Sequence, residues 1–231
     1  MISGYIEGFL HRQHTGPEHL EELISTLKKL AGSEEECNVR VLREAIESLN
    51  HAAEAREISG LGHGEMTARY CEIMARSLSL PSEEIADLIY AARVHDVGKI
   101  FVPERILNKA GPLSEDEFYL LRMHPRVASE IIAVLPGSDR LQRTVECHHE
   151  AFDGTGYPAG LHGEQIPFKA RILSIADAYV NMTTDRSFAT AKSSQQALEE
   201  LERLSGIRYD GMLVRILFRE LKMEKGSTAR S

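Results

Sequence analysis

Residues 82–99 read SEEIADLIYAARVHDVGK, and the fold turns on which face each of them occupies. Ile85, Leu88, Ile89 and Ala92 recur at helical spacing, which predicts an amphipathic helix with Ser82 as its N-cap. His95 extends the same stripe, because Leu88, Ala92 and His95 stand at i, i+4 and i+7. An ionisable group is thereby turned toward the core. The pattern repeats on either side. Upstream, His63 precedes Thr67, Tyr70, Met74 and Leu78 on one helical face. Downstream, His148 and His149 continue the stripe of Leu141 and Val145 on a further predicted helix, and Asp177 sits between Leu173 and Val180.

Other segments also follow the helical period. Leu20, Leu23, Ile24, Leu27 and Leu30 form one stripe, ended by Gly32, and Leu42, Ala45, Ile46 and Leu49 form another. Ser114 with Glu117 reads as a capping box opening a helix, Val127, Ile131 and Val134 mark the next, and two more are expected near 197–204 and 212–221. Residues 152–167 break the pattern with four glycines and two prolines, so a loop with nothing regular is expected there. The predicted class is all-α: a helical bundle carrying one glycine-rich loop. Residues 1–50 are expected to form an N-terminal helical extension, and residues 51–231 the domain that holds the chemistry.

Composition bounds the function. The chain has 231 residues, 42% hydrophobic and 27% charged, which are globular proportions. Its net charge of −8 disfavours a binder of polymeric nucleic acid, which needs a basic stripe. No apolar run reaches the roughly 20 residues of a membrane span, and no secretory signal is visible at the start. Three unpaired cysteines point to a reduced, cytoplasmic setting.

One inward histidine is commonly a satisfied core residue. Several helices that all turn His or Asp inward call for a shared charge partner, since an unpaired buried carboxylate loses several kcal/mol of solvation. A cation answers all of them at once, pairing the carboxylates and accepting neutral imidazole lone pairs. Adding Asp96 and His124 gives the candidate ligand set His63, His95, Asp96, His124, His148, His149 and Asp177. That set exceeds one four-coordinate ion and suits two metals bridged by a carboxylate.

The order of these residues resembles a known family. His95-Asp96-Val97-Gly98-Lys99 looks like the paired motif of the HD phosphohydrolase superfamily. His148-His149-Glu150, followed by Asp153-Gly154-Thr155-Gly156-Tyr157-Pro158, is similar to the long signature of its HD-GYP branch. The flanking ILNKAGPLSEDEF, His124-Pro125 and GEQIPFKARILSIAD agree, over about residues 50 to 220. The resemblance implies an HD-superfamily bundle and a bacterial phosphodiesterase that hydrolyses cyclic di-GMP or a related cyclic dinucleotide. A hydroxide bridging a dinuclear metal site would be the attacking group.

By motif, His63, His95, Asp96 and Asp177 would hold one metal, and Asp96 would bridge to a second completed by His124, His148 and His149. Iron is the metal most associated with such sites, manganese the next, and zinc or nickel fit the same donors. Asp96 and Lys99 would be catalytic. Lys99, Gly154, Gly156, Tyr157, Pro158 and Arg186 would contact or position substrate, although a solvated lysine and a plain structural turn are the bland alternatives. A diguanylate cyclase domain is an implied partner, and the N-terminal helices read as either a packing extension or a homodimer interface.

Departures from the pattern sharpen these expectations. Ser59 stands where some members carry a third-metal glutamate, with Glu57 out of register, so two metals are predicted. Met66 stands where many members carry arginine. Ser187-Phe188-Ala189 replaces the usual basic text after Arg186. The missing basic contact motivates an alternative: a catalytically weak domain that senses a nucleotide or docks on a cyclase. Cys147, beside His148, reads as an inert buried thiol ahead of a redox switch.

Overall fold

The computed structural model describes residues 17–30, 35–58, 60–185 and 190–228. Arg186, Ser187, Phe188, Ala189, Ser59 and Gly32 lie outside the described residues. The helices are α1 (Pro17–Leu30), α2 (Glu35–Glu54), α3 (His63–Ser77), α4 (Ser82–Val94), α5 (Glu104–Leu107) and α6 (Glu115–Arg122). They continue as α7 (His124–Ile132), α8 (Asp139–Glu146), α9 (Phe168–Thr183), α10 (Ser194–Arg203) and α11 (Gly211–Thr228), with 3-10 turns at Val97–Phe101 and Gly163–Gln165. Among the described residues there is no strand, only a bridge between Ser205 and Tyr209, so the all-α expectation is met.

α4 is the central element because it is apolar on two faces. Tyr90, Ala91 and Val94 pack into one core with Leu23 and Leu27 of α1, Leu42, Ile46 and Leu49 of α2, and Ile131, Leu141 and Val145 of α7 and α8. Ile85, Leu88 and Ala92 pack into a second core with Met74 of α3, Leu173 and Tyr179 of α9, Leu198 of α10 and Leu217 of α11. The C-terminal end of α4 therefore emerges at the seam between the two cores, and that end carries His95. The junction expected at residue 50 falls inside α2, and α1 and α2 share their core with α4.

Local chemistry explains most element ends. The Ser114–Glu117 capping box is present at α6, and Ser193 with Gln196 forms another at α10. Ser82 is not the N-cap of α4. Pro81 holds that position, Ser82 is the first helical residue, and no side chain caps the helix. The helix expected through His149 stops at Glu146, which leaves His148 and His149 on the turn that follows. The loop of residues 152–167 contains one regular piece, the short 3-10 turn at Gly163–Gln165. No described helix is long and apolar enough to cross a membrane.

Candidate functional site

Of the candidate ligands, only Asp177 lies well inside a helix. His63 and His124 are the first residues of α3 and α7, His95 caps the C-terminus of α4, and Asp96 opens the 3-10 turn. Helix ends matter here because the last carbonyls of a helix have no intrahelical partner. His95 Nδ1 donates to the Ala92 carbonyl at 2.8 Å, His124 Nδ1 to Leu121 at 2.6 Å and His148 Nδ1 to Val145 at 2.6 Å. In all three the imidazole turns back onto a carbonyl three residues earlier. A carbonyl can only accept, so the proton sits on Nδ1 and the Nε2 lone pair points away from the helix.

Those Nε2 atoms are buried, and none has a hydrogen-bond partner. An unpaired buried acceptor is costly, and three converging ones are the donor set a metal takes. Single ligand atoms of His124, His148 and His149 lie within 4.8 Å of one another, and so do those of His63, His95 and Asp177. Asp96 stands between these two triads and divides its oxygens. Oδ2 lies 3.4 Å from His95 Nε2 and 3.9 Å from His63 Nε2, whereas Oδ1 lies 3.2 Å from His124 Nε2. The residues present therefore fit two divalent cations sharing one carboxylate.

The electrostatics agree with that fit. Burial disfavours charge on Asp96, yet His95, Lys99 and His124 hold its carboxyl well below the usual carboxylate range. Burial also opposes charge on Asp177, and the hydrogen bond with His63, together with the facing His95 imidazole, outweighs it. Burial pushes His95 down, but Asp96 and Asp177 carry it up to about 9. Burial and the neighbouring imidazoles His95 and His124 push His148 down to about 3, and His149 is also lowered well below its ordinary value. The carboxylates thus draw positive charge onto the site, at His95 in particular, while the His148 and His149 rings stay neutral and present lone pairs.

Two glycines permit the approach of these segments. A Cβ at Gly98 would collide with the His124 carbonyl oxygen, so only glycine lets the turn bearing Asp96 and Lys99 touch the start of α7. A Cβ at Gly156 would collide with the backbone of Glu150 and Ala151, so the glycine-rich loop can fold directly onto the segment after His149. Glu150 secures that loop by accepting from Ala159 N at 2.7 Å and Leu161 N at 3.0 Å.

A cavity of about 450 Å³ opens beside the centre. Asp96, His124, His149 and Asp177 line it, together with Lys99, Glu57, Tyr157, Asn181 and the wall formed by Ile106 to Leu113. Its size falls in the range of small-ligand sites. Lys99 Nζ lies 2.7 Å from Asp96 Oδ2 and 3.0 Å from Glu57 Oε1, so it is no solvated lysine. The Tyr157 ring packs on His149, centroids 4.9 Å apart, and the Arg122 guanidinium lies 4.7 Å over its face. Gly154, Gly156 and Pro158 do not line the cavity. Gly154 supplies a positive φ of 85°, Gly156 the close approach, and Pro158 follows Tyr157 through a cis bond.

Some contributors were not anticipated from the sequence. Asn181 Nδ2 donates to Asp177 Oδ1 at 2.8 Å. Buried Glu54 accepts from Gly62 N at 3.0 Å and Gly64 N at 2.8 Å, which fixes the start of α3 and with it His63. Arg56 donates to the carbonyls of Ile100 and Val102, at 2.6 and 2.9 Å, holding the turn that bears Lys99. The signal for Glu54 was legible: Ile46, Asn50 and Glu54 follow one another at four-residue spacing on a buried face.

Comparison with known proteins bears on the same residues. The sequence profile of one family, described as HD domain, matches residues 40–213. A cyclic di-GMP phosphodiesterase of Thermotoga maritima is 33% identical over 190 residues, covering 81% of this chain and 50% of the relative. The cyclic di-GMP phosphodiesterase response regulator RpfG of Xanthomonas campestris is 33% identical over 204 residues, covering 86% of this chain and 53% of the relative. The chain thus spans about half the length of these curated relatives. The crystal structure of a cyclic GMP-AMP specific phosphodiesterase of V. cholerae superposes with a TM-score of 0.61 at 19% identity, over 78% of this chain and 49% of that one, and shows the shared fold.

Proposed function

The chain belongs to the HD domain family and carries the HD-GYP signature, and from that premise we propose that it is a metal-dependent phosphodiesterase acting on a cyclic dinucleotide. The observation that carries this reading is the division of Asp96 between two donor triads at the floor of a cavity. Both names among the relatives, cyclic di-GMP and cyclic GMP-AMP phosphodiesterase, support the substrate class.

Cations held by His63, His95, Asp96 and Asp177 on one side, and by Asp96, His124, His148 and His149 on the other, would supply Lewis acidity and a water of lowered pKa. The chain's own groups do the rest. The Lys99 ammonium projects into the cavity, where it meets charge developing on phosphoryl oxygens. Asn181 holds the Asp177 carboxylate in one orientation, and Tyr157 packed on His149 walls one side of the site. The apolar wall at Ile106, Leu107 and Leu113 excludes water and offers a surface for a nucleobase.

Iron is the metal we assign, followed by manganese. The test is elemental analysis of anaerobically purified protein, with hydrolysis of cyclic di-GMP and cyclic GMP-AMP followed by chromatography on the same sample. Two metals per chain with linear or mononucleotide product is the expected outcome, abolished by Asp96→Ala. Metal-loaded protein that binds a cyclic dinucleotide tightly without cleaving it favours the sensing module, and metal-loaded protein that neither binds nor cleaves one overturns the reading.

A further inference from the structure

Lys99 lines the cavity against the donor centre, and two carboxylates compete for it. Asp96 Oδ2 also faces His63 and His95, so a divalent ion drawn to that oxygen competes directly with the lysine ammonium. Glu57 belongs to neither donor triad. It lines the same cavity, in the segment that follows α2. Its neighbour Arg56 grips the backbone of the turn carrying Lys99, at the carbonyls of Lys99, Ile100 and Val102. Adjacent residues thus hold this turn twice, once by its main chain and once by its ammonium.

We propose that Glu57 is the positioning residue of Lys99, keeping its ammonium at the cavity wall when Asp96 is engaged by cations. The role rests on the phosphodiesterase reading, because the lysine is positioned for charge building on a phosphoryl group. A lysine ammonium is a point charge on a flexible stem, so its place in a site must be set by a partner. Without Glu57, an ammonium released from Asp96 by a cation has no second carboxylate to hold it at the cavity wall and can swing into solvent. Glu57 belongs to neither donor triad, and it acts through Lys99.

Glu57→Gln keeps the shape and removes the charge. It is expected to lower kcat about tenfold while KM changes by less than about threefold, since the interaction is worth most in the transition state. Bound metal is unchanged, and Glu57→Asp restores most of the loss. In a Lys99→Met background, Glu57→Gln costs nothing further, because the two residues act as one unit. Full activity in Glu57→Gln, or losses that multiply in the double variant, overturns the proposal. A fall in bound metal also overturns it, by assigning Glu57 to the cation site itself. Failure of wild-type protein to cleave any cyclic dinucleotide sinks the phosphodiesterase reading instead. The pair is then judged by the Lys99 Nζ resonance of metal-free protein, which shifts in Glu57→Gln when the pair exists and stays in place when it does not.

Discussion

At the residue scale, the histidines of the centre owe their direction to a hydrogen bond behind them. His95, His124 and His148 each turn Nδ1 onto a carbonyl at the C-terminal end of a helix, which frees Nε2 for the centre. The carboxylates are oriented in the same manner, and Asn181 does this for Asp177. Groups behind a ligand typically account for 10- to 100-fold in metal affinity. Asn181→Leu is therefore expected to weaken metal binding by about that factor, read by competition with a chelator, with little change in melting temperature of the metal-free protein. Unchanged affinity would show that Asp177 needs no help. Cys147 tells the opposite story. Burial pushes its thiol up to about 11, so at neutral pH very little thiolate is present. Iodoacetamide should leave Cys147 unmodified in folded protein and label it after denaturation, and rapid labelling of the native state would restore the redox switch as an idea.

At the element scale, the site is assembled where short segments meet backbone to backbone. The 3-10 turn at Val97–Phe101 lies against α7 because Gly98 has no side chain to hold it off. Gly98→Ala should separate the turn from His124, cost about 1–3 kcal/mol of stability as overpacked sites do, and lower bound metal as well. Thermal unfolding and elemental analysis on one preparation test both halves, and a loss of stability with full metal content would mean the turn moves without disturbing the centre. Glu54 works on the same scale. Its carboxylate accepts from the backbone at the start of α3, where unpaired N–H groups favour negative charge.

On the scale of the whole molecule, α4 joins two cores, and the centre sits where they meet. α1 and α2 contribute to the first of those cores, and the segment after α2 reaches the site through Glu54, Arg56 and Glu57. Ile46 is fully buried there. Ile46→Ala should cost about 2–5 kcal/mol, and unfolding should stay a single transition, because the N-terminal helices and the centre share one core. A separate early transition for the N-terminal helices would contradict this. Metal removal acts on the same equilibrium. Ions that bind only the folded chain stabilise it by mass action, so a chelator should lower the melting temperature in wild type and leave Asp96→Ala unaffected.

Much of this was legible in the amino-acid sequence because helical periodicity is local. A histidine or aspartate in register with an apolar stripe is expected to face inward, and that marked His63, His95, His148, His149 and Asp177 as one problem, although the helices before His95 and His148 end short of them. The glycine-rich loop and the HD-GYP signature were equally readable, since turn chemistry is written within a few residues. The tertiary structure decided where the helices stop, and so which carbonyls orient the imidazoles; it also divided the Asp96 oxygens between two triads and gave Lys99 a second carboxylate. Those facts depend on distances between segments as far apart as His63 and Asp177. Such distances are set by how two cores pack around α4, and no local pattern contains them.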